Sequence, residues 1–451
     1  MKNYIIKYNI SKVIYFNSRY FILYIQKIKL YFLKIINWIT KNMGCCCKKK
    51  QEISTKDVSD ALYNESLIPE PSNNNNGSRK SIDYDDVPTF RTSIDATNTP
   101  ATLEDFKHLK LLGKGSFGKV ILVKNQNNNK LYAMKILDKK FIIKKNQVSH
   151  TQTERALLEK LKHPFIVRLN YAFQDSKRLY FLTEFLQGGE LFFHLRKNSG
   201  YKEKAVRFYM SQILLALEYM HNNNYIYRDL KPENILIDKE GNIKLTDFGL
   251  SKILPEEEKT TYTMCGTAEY LAPEILFGKG YDKTCDWFSF GVVLFEMFCG
   301  YHPFKPKGQR IDPKIYLRKT FIPEKVPKTP RDLIEKLFVS NPKKRLGYRG
   351  ADEVKQHPFF KGVDFDKVLR KEYKPPFIPK LKDDLDLRYF DESFTELRVD
   401  SEKNDDKDEE DEKDDFKFEG FSYQQKDENL KNEGNEENLV VNENNEEVEE
   451  L

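Results

Sequence analysis

The 451 residues contain 75 Lys and Arg against 69 Asp and Glu, a net charge of +6, with 39% apolar and 32% charged side chains, ordinary proportions for a globular protein. Six cysteines with no C-x-x-C pair argue against a zinc site, and three of them in one run against a disulfide framework, so a reducing, cytoplasmic setting is expected. The small net charge hides a polarised layout, because residues 1–50 hold no Asp or Glu while Asp, Glu and Asn dominate after Asp400.

The length suits one large domain with extended ends. Residues 1–50 form a basic N-terminal segment in which Lys12, Arg19, Lys27, Lys29, Lys34 and Lys41 interrupt the Ile, Tyr and Phe residues. No uncharged run reaches the roughly 18–20 residues of a membrane-spanning helix, so a basic interfacial helix on an anionic membrane surface fits better. Within it, Met43-Gly-Cys-Cys-Cys-Lys-Lys-Lys50 reads as an alternative start. Gly44 would then be a myristoylation site and Cys45, Cys46 and Cys47 palmitoylation sites, which with the lysines supply the two signals a stable anchor needs. Lys48 stands where the myristoylation pattern has Ser or Thr, and the alternative is an internal Met43 with exposed thiols. Residues 51–105, with Asn73 to Asn76, Gly77 and scattered Ser and Pro, are expected to be a disordered linker. No basic and aromatic recognition module follows, so nucleic acid is not an expected partner.

Leu109 to Val123 alternates apolar residues on both sides of Gly113, Gly115 and Gly118, which predicts strand, glycine turn and returning strand. Leu112, Gly113, Lys114, Gly115, Ser116, Phe117, Gly118, Lys119 and Val120 are the expected cover over a nucleotide, the glycines letting backbone N–H groups approach phosphates and Val120 closing on the base. The glycine pattern alone is weak, but a strand after it argues against a dinucleotide fold. Lys135 ends a short apolar strand and needs an anion on burial; Glu154, on the amphipathic stretch Val148 to Leu161, is the expected carboxylate partner. Tyr180 to Glu190 is an apolar strand breaking at two glycines, suited to join two lobes. Its backbone near Glu184 and Leu186 is expected to bond adenine, with Thr183 behind the pocket and Glu190 facing ribose or a basic substrate side chain.

Tyr227-Arg-Asp-Leu-Lys-Pro-Glu-Asn234 and Asp247-Phe-Gly249 follow about a hundred residues after the glycine loop and Lys135. Phosphoryl transfer needs positioning, charge neutralisation and a carboxylate to receive the hydroxyl proton. Asp229 is the expected base, Lys231 the contact to the moving phosphate, and Asn234 and Asp247 the ligands of Mg²⁺ on ATP. Each block alone has a bland reading as a turn; all of them in this order point to ATP-dependent chemistry.

On these motifs the chain resembles the eukaryotic Ser/Thr protein kinases, and within them the AGC group, most similar to protein kinase B, over about Phe106 to Tyr423. The resemblance implies an α+β, two-lobed protein kinase fold: a small β-rich N-lobe with one key helix, a larger helical C-lobe, and an extended C-terminal tail. It divides the chain into a kinase domain at 106–360, the tail at 361–426 and an acidic disordered end at 427–451. Tyr227 in place of the commoner His is an AGC habit. Thr263-Met-Cys-Gly-Thr-Ala-Glu-Tyr-Leu-Ala-Pro-Glu274 is similar to the AGC activation segment, with Ala268 where many relatives have Pro. By that resemblance Thr263 is phosphorylated by an upstream kinase resembling phosphoinositide-dependent kinase, with Arg228 placed to bind the phosphate, Glu274 pairs with Arg345, and Asp286 holds the catalytic-loop backbone. Glu190 and Glu233 match positions that receive an arginine upstream of the phosphoacceptor, which implies protein substrates of the type Arg-x-x-Ser/Thr.

The tail keeps spaced aromatics, ending in Phe418-Glu-Gly-Phe-Ser-Tyr423. This block resembles the AGC hydrophobic motif, in which Phe418 and Phe421 dock beside the helix carrying Glu154 and phosphorylated Ser422 strengthens docking. The Thr-Pro turn motif expected before it is absent, and Ser401 is a weak stand-in. A monomer is expected. The competing reading from another class is a pseudokinase scaffold, and among kinases a cyclic-nucleotide-dependent type; the complete set of phosphate-handling residues and the chain beyond Phe421 weigh against them.

Overall fold

The computed structural model describes residues 101–115, 118–191, 193–194, 200–254, 260–304, 320–397 and 417–425. The basic segment, Gly44 with Cys45 to Cys47, Ser116, Phe117, Ser401 and the acidic end lie outside the described residues.

The first lobe is an antiparallel sheet. Strands β1 (Phe106–Lys114), β2 (Gly118–Asn125), β3 (Leu131–Asp138), β4 (Leu169–Gln174) and β5 (Arg178–Glu184) are joined in the order β1-β2-β3-β5-β4, with a short tail strand, β11 (Tyr423–Gln424), on the β4 edge. Strand alternation sends Ile121 and Val123 of β2 and Tyr132, Met134 and Ile136 of β3 into one apolar cluster, where Phe106 packs on Phe173, Tyr132 and Tyr171 with ring centroids 5.3–6.2 Å apart. Asp138 ends β3 and caps helix α1 (Lys139–Lys144) by accepting the Phe141 N–H at 2.9 Å. Helix α2 (Val148–Lys160) follows and buries Glu154 and Arg155 side by side.

Close approach of β2 to β3 explains one glycine. A Cβ on Gly118 would lie 1.8 Å from the Ile136 carbonyl oxygen, so any side chain forces the strands apart. Gly118→Ala is expected to destabilise the chain by about 1–3 kcal/mol, the usual penalty of overpacking, measured as a lowered denaturant midpoint. An unchanged midpoint would contradict the strand pairing described here.

The second lobe is built on two buried helices, α3 (Glu203–Asn222) and α5 (Thr284–Cys299). All of α5 is buried, as its near-continuous apolar sequence requires, and it stops at Gly300, whose φ of +75° suits glycine. β6 (Gly189–Glu190) precedes α3, and between the two helices run β7 (Tyr225–Ile226), β8 (Ile235–Ile237), β9 (Ile243–Leu245), β10 (Lys252–Ile253) and α4 (Pro273–Leu276). β6-β8-β9 form one small sheet and β7-β10 another, which hold the segment 227–249 between the lobes. Helices α6 (Lys328–Leu337), α7 (Ala351–Lys355), α8 (Phe365–Leu369) and α9 (Glu392–Thr395) complete the described elements.

Packing extends beyond residues 106–360 at both ends. Residues 101–105, assigned to the linker, form a turn in which Thr102 and Asp105 make a reciprocal capping box and Leu103 packs on the N-lobe cluster. Globular packing also continues past Phe360, since Val368 and Tyr373 are buried in the main core. Neither carries a long apolar period, so neither stood out.

Candidate active site

Lys135 enters from β3 and meets two carboxylates: its Nζ lies 2.8 Å from Glu154 Oε1 and 3.1 Å from Asp247 Oδ1. Burial alone would lower the Lys135 pKa, but Asp247 and Glu154 together raise it above the ordinary lysine value. The reverse holds at Asp247, whose pKa the Lys135 charge pulls down against the effect of burial. Lys135 is therefore a fixed cation and Asp247 a fixed anion across the physiological range. Gly249 is close by, where a Cβ would come within 3.2 Å of Glu154 Oε2.

Asp229 is almost fully buried. Its Oδ2 accepts from Lys231 Nζ at 2.7 Å and Asn234 Nδ2 at 2.8 Å, while Oδ1 accepts from the Thr267 N–H at 3.1 Å and hydroxyl at 2.8 Å. Lys231 also donates to Thr267 Oγ1 at 2.8 Å, so the segment around Thr267 is pinned onto Asp229 and Lys231 together. Thr267 was not singled out from the sequence. It lies within the Thr263 to Glu274 block, but its reach across 38 positions becomes visible only in the fold.

The loop carrying Asp229 is held in an uncommon conformation. Arg228 has φ +67° and Asp247 φ +57°, left-handed values that cost on the order of 1–3 kcal/mol for such residues and persist where neighbours impose them. Asp286, wholly buried at the start of α5, supplies the restraint: its carboxylate accepts the N–H groups of Tyr227 at 2.9 Å and Arg228 at 2.8 Å, and the His221 Nε2–H at 2.8 Å. The Arg228 side chain donates to the Leu250 carbonyl at 2.5 Å and to the Tyr281 hydroxyl at 3.1 Å. Tyr281 in turn donates to the Thr263 carbonyl at 2.6 Å, so Arg228 reaches the exposed Thr263 through a tyrosine that the sequence did not flag. Glu274 and Arg345 form a buried two-pronged pair at 2.7 and 2.8 Å.

At the junction of the lobes, Leu186 is buried and the Glu184 carboxylate accepts from the Arg168 N–H at 2.9 Å and Lys244 Nζ at 2.7 Å, which ties the connecting strand to both lobes. Glu190 and Glu233 are both exposed to solvent on the C-lobe side. Leu112, Gly113 and Lys114 end β1, Gly118, Lys119 and Val120 begin β2, and the N–H of Gly115, just past β1, donates to the Gly118 carbonyl at 2.8 Å to close the turn.

The tail returns to α2. Phe418 and Phe421 are buried, with Phe421 edge-on to Phe181 at 5.1 Å. Gln174 clamps Phe418 by donating to its carbonyl at 2.7 Å and accepting its N–H at 3.0 Å. Arg155 donates to the carbonyls of Phe421 at 3.0 Å and Ser422 at 3.1 Å, while the Ser422 side chain stays exposed. Adjacent residues on a helix point about 100° apart, so α2 turns Glu154 to the cleft and Arg155 to the tail.

The protein kinase domain family matches residues 106–360, more than half of the chain, and the protein kinase C terminal domain family matches 381–423. The chain belongs to the protein kinase family. It is 47% identical over 295 residues to a RAC family serine/threonine-protein kinase homolog of Dictyostelium discoideum, covering 65% of this chain and 66% of that protein. It is 43% identical to the human RAC-beta serine/threonine-protein kinase, covering 68% and 64%, and 43% identical to the serine/threonine-protein kinase YPK1 of Saccharomyces cerevisiae, covering 67% and 45%. These relatives place it in the AGC group, similar to protein kinase B, and the chain spans less than two thirds of their length. As a protein kinase domain it is of a family that uses ATP. Among the described residues no helix is long and apolar enough to cross a membrane.

Proposed function

We propose that the chain is an ATP-dependent serine/threonine protein kinase in which Asp229 receives the substrate hydroxyl proton and Lys231 neutralises the phosphate in transit. The observation that carries this reading is the double engagement of Lys135 by Glu154 and Asp247 in the same cleft that holds Asp229 on Lys231, Asn234 and Thr267. Lys135 would hold the ATP phosphates, the β1–β2 turn would cover them, and the backbone around Glu184 and Leu186 would take the base.

Among the described residues no group of three or more His, Cys, Asp or Glu gathers as a metal cage. That fits Mg²⁺ on a nucleotide, which needs only one or two protein oxygens beside phosphate and water. Asn234 commits its amide nitrogen to Asp229, leaving its oxygen as a ligand, and Asp247 is half-exposed and ionised, so these two would hold the ion. Bound there, Mg²⁺ supplies neutralisation of phosphate charge.

The exposure of Glu190 and Glu233 on the C-lobe side supports substrates with Arg upstream of Ser or Thr. With labelled ATP and a positional peptide library, the full chain is expected to select arginine before the acceptor, and Glu233→Gln to raise KM for such peptides with little change in kcat. Selection of acidic or proline-directed sites would overturn the preference.

Thr263 and Ser422 would be the regulatory phosphorylation sites, the first served by an upstream kinase resembling phosphoinositide-dependent kinase. Burial of Phe418 and Phe421 is worth about 1.5–3 kcal/mol each, enough to bias α2 toward the position that presents Glu154 to Lys135. Ser422→Ala is expected to lower kcat/KM on the order of 10-fold without abolishing activity. Unchanged activity in both Ser422→Ala and Phe421→Ala would show that the tail does not act on the cleft. Membrane attachment through Gly44 and Cys45 to Cys47 completes the reading, and fatty-acid labelling with Cys45 to Cys47 replaced tests it.

A further inference from the structure

A cavity of about 580 Å³ lies against the connection between the lobes, lined by Glu184, Phe185 and Gln187. Lys130 from the β2–β3 turn, Arg168 ahead of β4 and Lys239 from the β8–β9 turn also line it. All three cations are exposed, and Lys130 and Arg168 have no ion pair among the described residues. Glu184 already shares its Oε1 between Lys244 and the Arg168 N–H, and Asp384 is the other acid on the lining. Two more lining groups are incomplete: Asn170 Oδ1 and Gln425 Oε1 are shielded from solvent and have no hydrogen-bond partner. A buried acceptor without a donor costs about 1–3 kcal/mol, so this pair marks a place where donors are missing.

The chain itself delivers a candidate to this place. After β11 the Gln425 N–H still donates to the Asn170 carbonyl at 2.9 Å, so the backbone leaves the sheet at the cavity. The next 26 residues, 426–451, hold ten Asp and Glu against two Lys. We propose that this acidic segment docks in the cavity from which it emerges, an intramolecular ligand whose first carboxylates, Asp427 and Glu428, meet Arg168 and Lys130 and whose backbone N–H groups serve Asn170 and Gln425. The reach is short: Asp427 and Glu428 follow Gln425 by only two and three residues, at most about 3.3 Å each. Because the cavity wall includes Glu184, Phe185 and Gln187, the docked segment restrains the connection on which the lobes pivot.

Carbodiimide cross-linking of the full chain at low salt, read by mass spectrometry, tests this directly. Cross-links from Lys130 or Lys239 to Asp427 or Glu428 are expected, with a yield unchanged on dilution. Because exposed ion pairs are weak and screened beyond about 10 Å at 0.1 M salt, the yield should fall roughly five-fold or more in 0.5 M salt and in Arg168→Glu. Absence of these cross-links, a yield that Arg168→Glu leaves unchanged, or a yield that falls on dilution because the segment binds a second molecule would each overturn the proposal. Arg168 is exposed, so a thermal melt of the variant equal to the parent separates lost docking from lost fold.

Discussion

Asp229→Asn is expected to lower kcat by about 10²–10⁴-fold, the usual share of a positioned general base, while leaving nucleotide affinity close to that of the parent. The amide keeps the size of the carboxylate but cannot receive the hydroxyl proton. It also turns one acceptor into a donor. Either Lys231 and Asn234, which both donate to Oδ2, or Thr267, which donates to Oδ1 twice, must then lose a partner. The first effect is chemical and the second loosens the activation segment, so kcat and kcat/KM fall together. Steady-state kinetics on a serine peptide, with a titration of ATP binding, separates these from a general loss of structure. A variant with parental kcat would remove Asp229 from the chemistry.

Glu274→Ala is expected to destabilise the chain by about 3–5 kcal/mol, the range for removing one member of a buried ion pair. Arg345 is 1% exposed and would keep only carbonyl partners, those of Thr284 at 2.9 Å and Val339 at 3.0 Å, for a guanidinium that cannot lose its charge. The loss should appear as a lowered denaturant midpoint at unchanged slope. Replacing both partners by apolar residues should be milder than replacing one, because the residual penalty is the unpaired charge. A single variant as stable as the parent would mean that Arg345 finds another anion.

Much of the cleft was legible because phosphoryl transfer draws on residues clustered in short blocks. Lys135 and Glu154 lie 19 positions apart on consecutive elements, and Asp229, Lys231 and Asn234 fit within one turn of chain, so their association could be read from spacing. The two-lobed fold followed from the resemblance that these blocks carry to the Ser/Thr protein kinases. The residues that were missed act across distance. Thr267, Tyr281 and Gln174 carry ordinary polar side chains whose partners lie 18 to 244 positions away, and nothing local distinguishes them. Arg155 was hidden for another reason: a charged residue beside Glu154 on an amphipathic helix reads as solvated, and only the tail buries it. The turn at 101–105 and the packing of Val368 and Tyr373 escaped for want of periodicity.

The most direct measurement is transfer of the terminal phosphate of labelled ATP by the purified full chain to a peptide with arginine upstream of a serine, followed by identification of the labelled residue. Label on the serine hydroxyl, reduced about 10²–10⁴-fold in Asp229→Asn, is the expected result. Label released only as inorganic phosphate, or incorporated equally by the variant, would contradict the assignment of this cleft to protein phosphorylation.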